Sequence, residues 1–145
     1  ITFHYESSFH TDRLINLVKR SGAKVGVALN PATSLSVLDY ILPQCDSILL
    51  MLINPGFATD KGEKQVSYAD KKVKDLSELI RKNNLDVKIQ VDGRVSLETI
   101  PKLVSAGADS LVVGSTSLFI PGKTISENKK LLDISINEGL KGGNF

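Results

Sequence analysis

Val87-Lys88-Ile89-Gln90-Val91-Asp92-Gly93 is an alternating apolar run that stops at a carboxylate followed by glycine. Val87, Ile89 and Val91 recur at period two, which predicts a strand, and Gly93 releases the chain into a turn. In parallel α/β folds chemistry gathers at the carboxyl ends of the strands, where loops converge above a packed core. Asp92 is therefore a candidate catalytic group. The plainer alternative is a turn or helix-capping aspartate, because Asp-Gly is common turn chemistry.

On either side of this stretch the pattern repeats. Ser47-Ile48-Leu49-Leu50-Met51-Leu52-Ile53-Asn54 is apolar throughout, as in a parallel strand covered on both faces. Lys24 to Asn30 and Ile1 to Tyr5 read as two earlier strands, and Ser110 to Ser115 as a later one. Thr11 is placed to cap a helix with Leu14, Ile15 and Val18 on one face. Thr33 or Ser34 opens a second helix carrying Leu35, Leu38, Ile41 and Leu42. A longer loop, Pro55 to Gln65, contains Gly56, Ala58, Asp60 and Gly62. The helix after it turns Val66, Ala69, Val73, Leu76, Leu79 and Ile80 inward and Lys71, Lys72 and Lys74 outward. Ser96 caps a helix bearing Ile100, Leu103 and Val104, with Pro101 near its first turn. A last amphipathic helix runs from about Thr124 to Ile136.

Strand and helix thus alternate five times, which predicts an α/β fold with right-handed crossovers and a parallel sheet. A doubly wound sheet and a TIM barrel compete. No G-x-G-x-x-G turn follows any strand, which weakens the dinucleotide-binding version. A complete (β/α)₈ barrel typically takes ~250 residues, so five units make a partial one. The chain opens inside an apolar strand at Ile1, without an initiator methionine, as the middle of something would.

The 145 residues form one domain's worth of chain, with 41% hydrophobic and 23% charged residues, the balance of a soluble globular protein. A net charge of +2, with lysines scattered rather than striped, argues against nucleic acid and leaves a small anionic ligand compatible. Cys45 is the sole cysteine, so no disulfide framework or cysteine metal cluster is expected, and a reducing cytoplasm is the default. No run is long enough for a membrane span.

Three strand ends are rich in glycine: Asn54-Pro55-Gly56-Phe57, Asp92-Gly93 and Gly114-Ser115-Thr116-Ser117. Glycine lets a backbone N–H approach a ligand closely, and the last two strand-end loops of barrels are a recurrent phosphate site. Any one such turn is ordinary loop geometry; three in register point to phosphate binding.

With these motifs the chain resembles the ribulose-phosphate 3-epimerases along its whole length. ITFHYE (1–6) is similar to that family's fourth strand and KVGVALNPAT (24–33) to its fifth. LLMLINPGF (49–57), IQVDG (89–93) and AGADSLVVGS (106–115) are similar to the sixth, seventh and eighth. The resemblance implies a TIM barrel of which residues 1–145 are the C-terminal part, with three β/α units lying ahead. It also implies proton transfer at C3 of a ketose phosphate, D-ribulose 5-phosphate to D-xylulose 5-phosphate, between two aspartates facing each other across the substrate. Inverting a carbon needs an acid/base group on each side. A divalent metal, zinc as a rule and iron, manganese or cobalt otherwise, stabilises the enediolate oxygens.

Residue by residue, Asp92 matches the seventh-strand aspartate that is both metal ligand and acid/base. Gly56, Gly93, Gly114 and Ser115 match positions whose backbone N–H groups hold the phosphate, and Met51 a methionine lining the sugar pocket. The partner aspartate and both metal histidines belong to the second and third strands. Arg94 stands where the family commonly has a second glycine, Phe57-Ala58-Thr59 replaces Phe-Gly-Gly, and Thr116 interrupts the usual Ser-Ala-Ile-Phe ending. Arg94 and Thr116 look more like the related allulose-6-phosphate 3-epimerases.

His4 and Glu6 share a strand side but match no metal position, so both stay outside the expected site, with His10 at the surface. Asn30 and Asn54, each before a proline, are expected to brace loops. The chain alone is expected to bind metal weakly and not to epimerise, and its open edges are expected to make it dimerise as a homo-oligomer, aggregate, or need the missing N-terminal segment. Two rivals are a hexulose-phosphate synthase-like barrel sharing the glycine loops and a non-catalytic phosphate-binding fragment.

Overall fold

The computed structural model describes residues 1–57, 59–60 and 62–143. Five strands are seen: β1 (Thr2–His4), β2 (Gly26–Leu29), β3 (Ser47–Met51), β4 (Lys88–Asp92) and β5 (Ser110–Leu111). All neighbouring pairs are parallel and the spatial order is β1-β2-β3-β4-β5. Each strand lies beside its predecessor and the winding never reverses. A doubly wound sheet reverses at a switch point, so this is the order of a barrel wall, five β/α units of a partial (β/α)₈ barrel.

The register sorts the side chains. Phe3, Val27, Ile48 and Ile89 form one row, and Leu29, Leu50, Val91 and Leu111 another. Both rows join the buried core with Ile15, Val73, Leu76, Ile100 and Leu103 of the helices. The alternate positions, His4, Ala28, Leu49 and Gln90 and then Met51 and Asp92, face the other way, because successive strand residues point to opposite sides. That second face is the inner wall.

Four α-helices cover the first face: α1 (Thr11–Arg20), α2 (Ala69–Lys82), α3 (Ile100–Ser105) and α4 (Ile125–Gly142). Both α1 and α2 carry an aspartate in their first turn, Asp12 or Asp70, and end in Lys19-Arg20 or Arg81-Lys82, complementing the helix dipole. The start of α4 is a capping box: Thr124 Oγ1 accepts from Glu127 N at 3.2 Å and Glu127 Oε2 accepts from Thr124 N at 2.7 Å. α4 presses onto α3 through Gly139, where a Cβ would stand 2.7 Å from Val104 Cβ and 2.8 Å from Pro101 O.

Several elements differ from the sequence reading. The segment after β2 is two 3₁₀ turns, Leu35–Leu38 and Leu42–Gln44, instead of a helix. Ser34 does cap the first, accepting from Ser36 N, but Pro43 cannot donate within a continuing helix, and Val37 and Ile41 are β-branched. α1 starts at Thr11 itself, behind His10, and α3 starts behind Thr99, with Ser96 and Thr99 bonding each other in the preceding turn. Pro101 sits in the first turn of α3, where it costs no helical hydrogen bond. α2 begins at Ala69 and leaves Val66 in the loop, while α4 runs on to Gly142. Lys72, read as outward, is only 9% exposed. It lies three residues after Ala69 and four before Leu76, hence on the inward stripe.

Candidate active site

The carboxyl ends of β4 and β5 open into a cleft of about 190 Å³ lined by Asp92, Gly93, Arg94, Gly114, Ser115 and Thr116 among others. Four of the expected site residues, Asp92, Gly93, Gly114 and Ser115, therefore meet in one place. Asp92 ends β4 on the inner face, paired in register with Met51. Its carbonyl accepts from Leu52 N at 2.7 Å, which fixes the backbone, while its carboxylate has no hydrogen-bond partner among the described residues.

Gly93 is required twice over. Its φ is +117°, and a Cβ there would lie 2.9 Å from both Ile53 N and Ile53 Cγ1. The ends of β3 and β4 approach too closely for any side chain at this position. The turn is braced by Gln65, whose Nε2 donates to Gly93 O at 2.8 Å and Arg94 O at 3.0 Å. Arg94 follows at φ +45°, and its guanidinium donates to Asp60 O. Thr116 Oγ1 donates to Val95 O at 2.7 Å and so ties the two lips of the cleft together.

On the β5 side Gly114 O accepts from Leu118 N and Phe119 N at 2.9 and 3.0 Å, and Gly114 N donates to the buried Ser117 Oγ at 3.3 Å. The expected Gly114 donor is thus already engaged. The N–H groups of Ser115 and Thr116 have no partner among the described residues, and Ser115 is exposed at the cleft. They are the donors that an anion would meet first.

Gly56 and Met51 are placed differently. Gly56 does not line the cleft; it is exposed at φ +93° at the start of the β3–α2 loop, with no atom within 4 Å of a Cβ position. That loop is cinched by Glu63, whose Oε1 accepts from Asn54 N and Nδ2, both at 2.9 Å. Ala58 lies outside the described residues. Met51 is 9% exposed and stands beside Asp92 on the inner wall.

A second polar group sits on the same rim, at the ends of β1 and β2. Lys72 Nζ, reaching from α2, donates to Asn30 O, Pro31 O and Thr33 O at 2.9, 2.8 and 2.7 Å. Glu6 Oε1 accepts from Asn30 N at 3.0 Å and from Thr33 Oγ1, and Glu6 Oε2 lies 3.5 Å from His4 Nδ1. Burial works against the Glu6 charge, but the bonds from Thr33 and Asn30 outweigh it and hold the carboxyl below its ordinary value of 4.5. Burial pushes the Lys72 amine down, and the Glu6 charge acts against that shift. Asn30 is thereby fixed one residue beyond Leu29, level with Met51 and Asp92.

The bracing bonds of Gln65, Thr116 and Lys72 were not legible in the sequence, although Thr116 stood in one of the glycine-rich strand ends. Gln65 and Thr116 act through single long-range bonds that leave no local pattern. Lys72 did leave one, a charged residue on the apolar stripe of a helix. The described residues bring together no group of three or more His, Cys, Asp or Glu side chains that could hold a metal ion. Zinc takes three or four protein ligands, so these residues by themselves do not fit one. No helix among them is long and apolar enough to cross a membrane. Cys45 is buried, and that burial pushes its thiol up to about 11.

A family model described as the ribulose-phosphate 3 epimerase family matches residues 1–119. The ribulose-phosphate 3-epimerase of Escherichia coli is 39% identical over 133 residues, 92% of this chain and 56% of that protein. The enzyme of the same name from Methanocaldococcus jannaschii is 45% identical over 115 residues, 79% of this chain and 48% of that protein. The chain thus spans about half the length of the curated relatives it matches. Among solved structures, 3-hexulose-6-phosphate synthase from Salmonella typhimurium superposes with a TM-score of 0.61 over 94% of this chain and 61% of that one. At 18% identity that likeness shows the shared fold alone. The sheet order, the strand-end motifs and the family match over residues 1–119 agree, and the chain belongs to the ribulose-phosphate 3-epimerase family.

Proposed function

We propose that this chain supplies the phosphate cradle and one of the two acid/base groups of a cytoplasmic ketose-phosphate 3-epimerase, its units corresponding to the fourth to eighth of a complete barrel. The substrate is D-ribulose 5-phosphate and the product D-xylulose 5-phosphate. The observation that carries this reading is Asp92. Its carboxylate stands on the inner wall without a hydrogen-bond partner among the described residues, in one cleft with Gly93, Gly114 and Ser115.

In this reading Asp92 exchanges a proton with C3 on one face of the sugar, and a second acid/base group acts on the other. Backbone donors at Ser115 and Thr116 hold the phosphate, and Met51 packs against the carbon chain. A divalent metal, zinc first and iron, manganese or cobalt after it, would be held by Asp92 together with ligands from outside these residues, and would supply Lewis-acid stabilisation of the enediolate oxygens. In the complete barrel the first three units cover the edges of β1 and β5, and the whole enzyme is a homo-oligomer; the chain alone self-associates through those edges. Arg94 and Thr116 at the cleft favour one second reading, in which the substrate is D-allulose 6-phosphate.

The test is conversion of D-ribulose 5-phosphate by the chain alone and by the chain mixed with a polypeptide carrying the first three β/α units of the E. coli relative. The chain alone is expected to be inactive and the mixture active. Asp92→Asn in the mixture should lower the rate by roughly 10²–10⁴-fold. An unchanged rate with Asp92→Asn overturns the assignment, and a preference for D-allulose 6-phosphate selects the second reading.

A further inference from the structure

The main chain of Asn30 is fully occupied. Its N–H donates to Glu6 Oε1 at 3.0 Å, and its carbonyl accepts from Lys72 Nζ at 2.9 Å and from Thr33 N at 3.1 Å. Its side chain is not. Oδ1 is enclosed without a hydrogen-bond partner, and Nδ2, which is not enclosed, bonds nothing among the described residues. An asparagine at a turn ordinarily spends its amide on the backbone that follows. Here two charged side chains brace the corner through the main chain, and the amide stays unused. An enclosed carbonyl oxygen without a donor costs stability, so the fold alone gives no reason for asparagine at this position.

Position supplies one. Ala28 faces the inner wall, and strand alternation carries that face on to Asn30, level with Met51 and Asp92. Neighbouring strands lie about 4.8 Å apart, so Asn30 stands roughly 10 Å along the wall from Asp92, with Met51 between them. Ser115 and Thr116 lie on the other side of Asp92, in the β4–β5 cleft. A ketose phosphate with its phosphate on their N–H groups and C3 at Asp92 points C1 and C2 toward Met51 and Asn30. A neutral amide offers one acceptor and two donors, which suits a hydroxyl beside a carbonyl. It also adds no charge on the wall that carries the Asp92 carboxylate.

We propose that Asn30 is a substrate-binding residue, its side-chain amide bonding the C1 hydroxyl and the C2 oxygen at the end of the ketose remote from the phosphate. The inference rests on the reading of the β4–β5 cleft as a phosphate site. The test is ¹⁵N–¹H NMR titration of the 145-residue chain, wild type and Asn30→Ala, with D-ribulose 5-phosphate and with inorganic phosphate. Both ligands should shift the wild-type amides of Ser115 and Thr116, and only the sugar phosphate should shift the Asn30 side-chain NH₂. Asn30→Ala should weaken D-ribulose 5-phosphate binding roughly tenfold and leave inorganic phosphate unchanged. Alanine keeps the main-chain bonds and removes the unpaired oxygen, so the urea midpoint should hold or rise. Equal affinity for the sugar phosphate in wild type and Asn30→Ala, with the same two amides moving, overturns the role of Asn30 and leaves the phosphate cleft standing. A lower urea midpoint with equal losses for both ligands makes Asn30 structural and overturns it as well. Amides that move with neither ligand in the wild type overturn both readings.

Discussion

At the rim where the strands begin, Asp46 and Asp109 both pair with the strand before them. Asp46 N donates to Val25 O at 2.8 Å, and Asp46 Oδ2 accepts from Val25 N at 2.7 Å. Asp109 repeats the arrangement on Ile89, at 2.9 and 2.8 Å. At the opposite rim Asp92 keeps its backbone bond to Leu52, but its carboxylate has no partner among the described residues. Each of the three ends or precedes a strand, and only the last faces a cleft with its acceptors unfilled. Carboxylates that bond a neighbouring backbone extend the ladder beyond its last residue. A carboxylate held in place by its main chain alone contributes little to the fold and is available to a ligand.

Four measurements test that contrast. The largest effect belongs to Asp92→Asn in the completed barrel, where the rate falls by roughly 10²–10⁴-fold while the urea midpoint of this chain stays in place. A matching loss of stability would make Asp92 structural, like the other two. Gly93→Ala comes next, because it adds a Cβ against Ile53 N and an L-side chain at positive φ. It should cost roughly 2–4 kcal/mol by urea denaturation, and a neutral result would mean that the two strand ends are not locked together. Asp46→Ala and Asp109→Ala should each cost roughly 1–2 kcal/mol and leave the resonances of Ser115 and Thr116 unmoved. Disturbance of those amides would show the two rims to be coupled.

The smallest effect involves Glu6, a carboxylate on the Asp92 rim that does have partners. Its folded value lies below 4.5, so its contribution is present above that pH and disappears as pH falls through 4.5 toward the folded value. Unfolding midpoints should drop in that window for the wild type and less so for Glu6→Gln. Equal pH profiles would place Glu6 with Asp92 and not with Asp46 and Asp109.

The strands and their direction were legible because Val87-Ile89-Val91 and the Ser47–Ile53 run announce burial at period two or throughout. Asp92, Gly93, Gly114 and Ser115 followed from standing where such runs end. The segment after β2 was misread because Leu35, Leu38 and Leu42 do fall at helical spacing, yet Pro43 and the β-branched neighbours allow only single turns. Lys72 was misread because lysine beside lysine looks solvated, although its place between Ala69 and Leu76 fixed it inward. Gln65 and Thr116 could not be found from spacing, since each meets its partner more than twenty residues away along the chain.

The close seat of Gly139 on α3 has a dynamic counterpart. α3 is a six-residue helix leading out of the Asp92 turn, too short to persist unaided. α4, eighteen residues long, holds it by a contact that admits no methyl group. Slow amide deuteration in α3 is therefore borrowed from α4, and a bulky replacement at Gly139 would first be felt as faster exchange in the neighbouring helix.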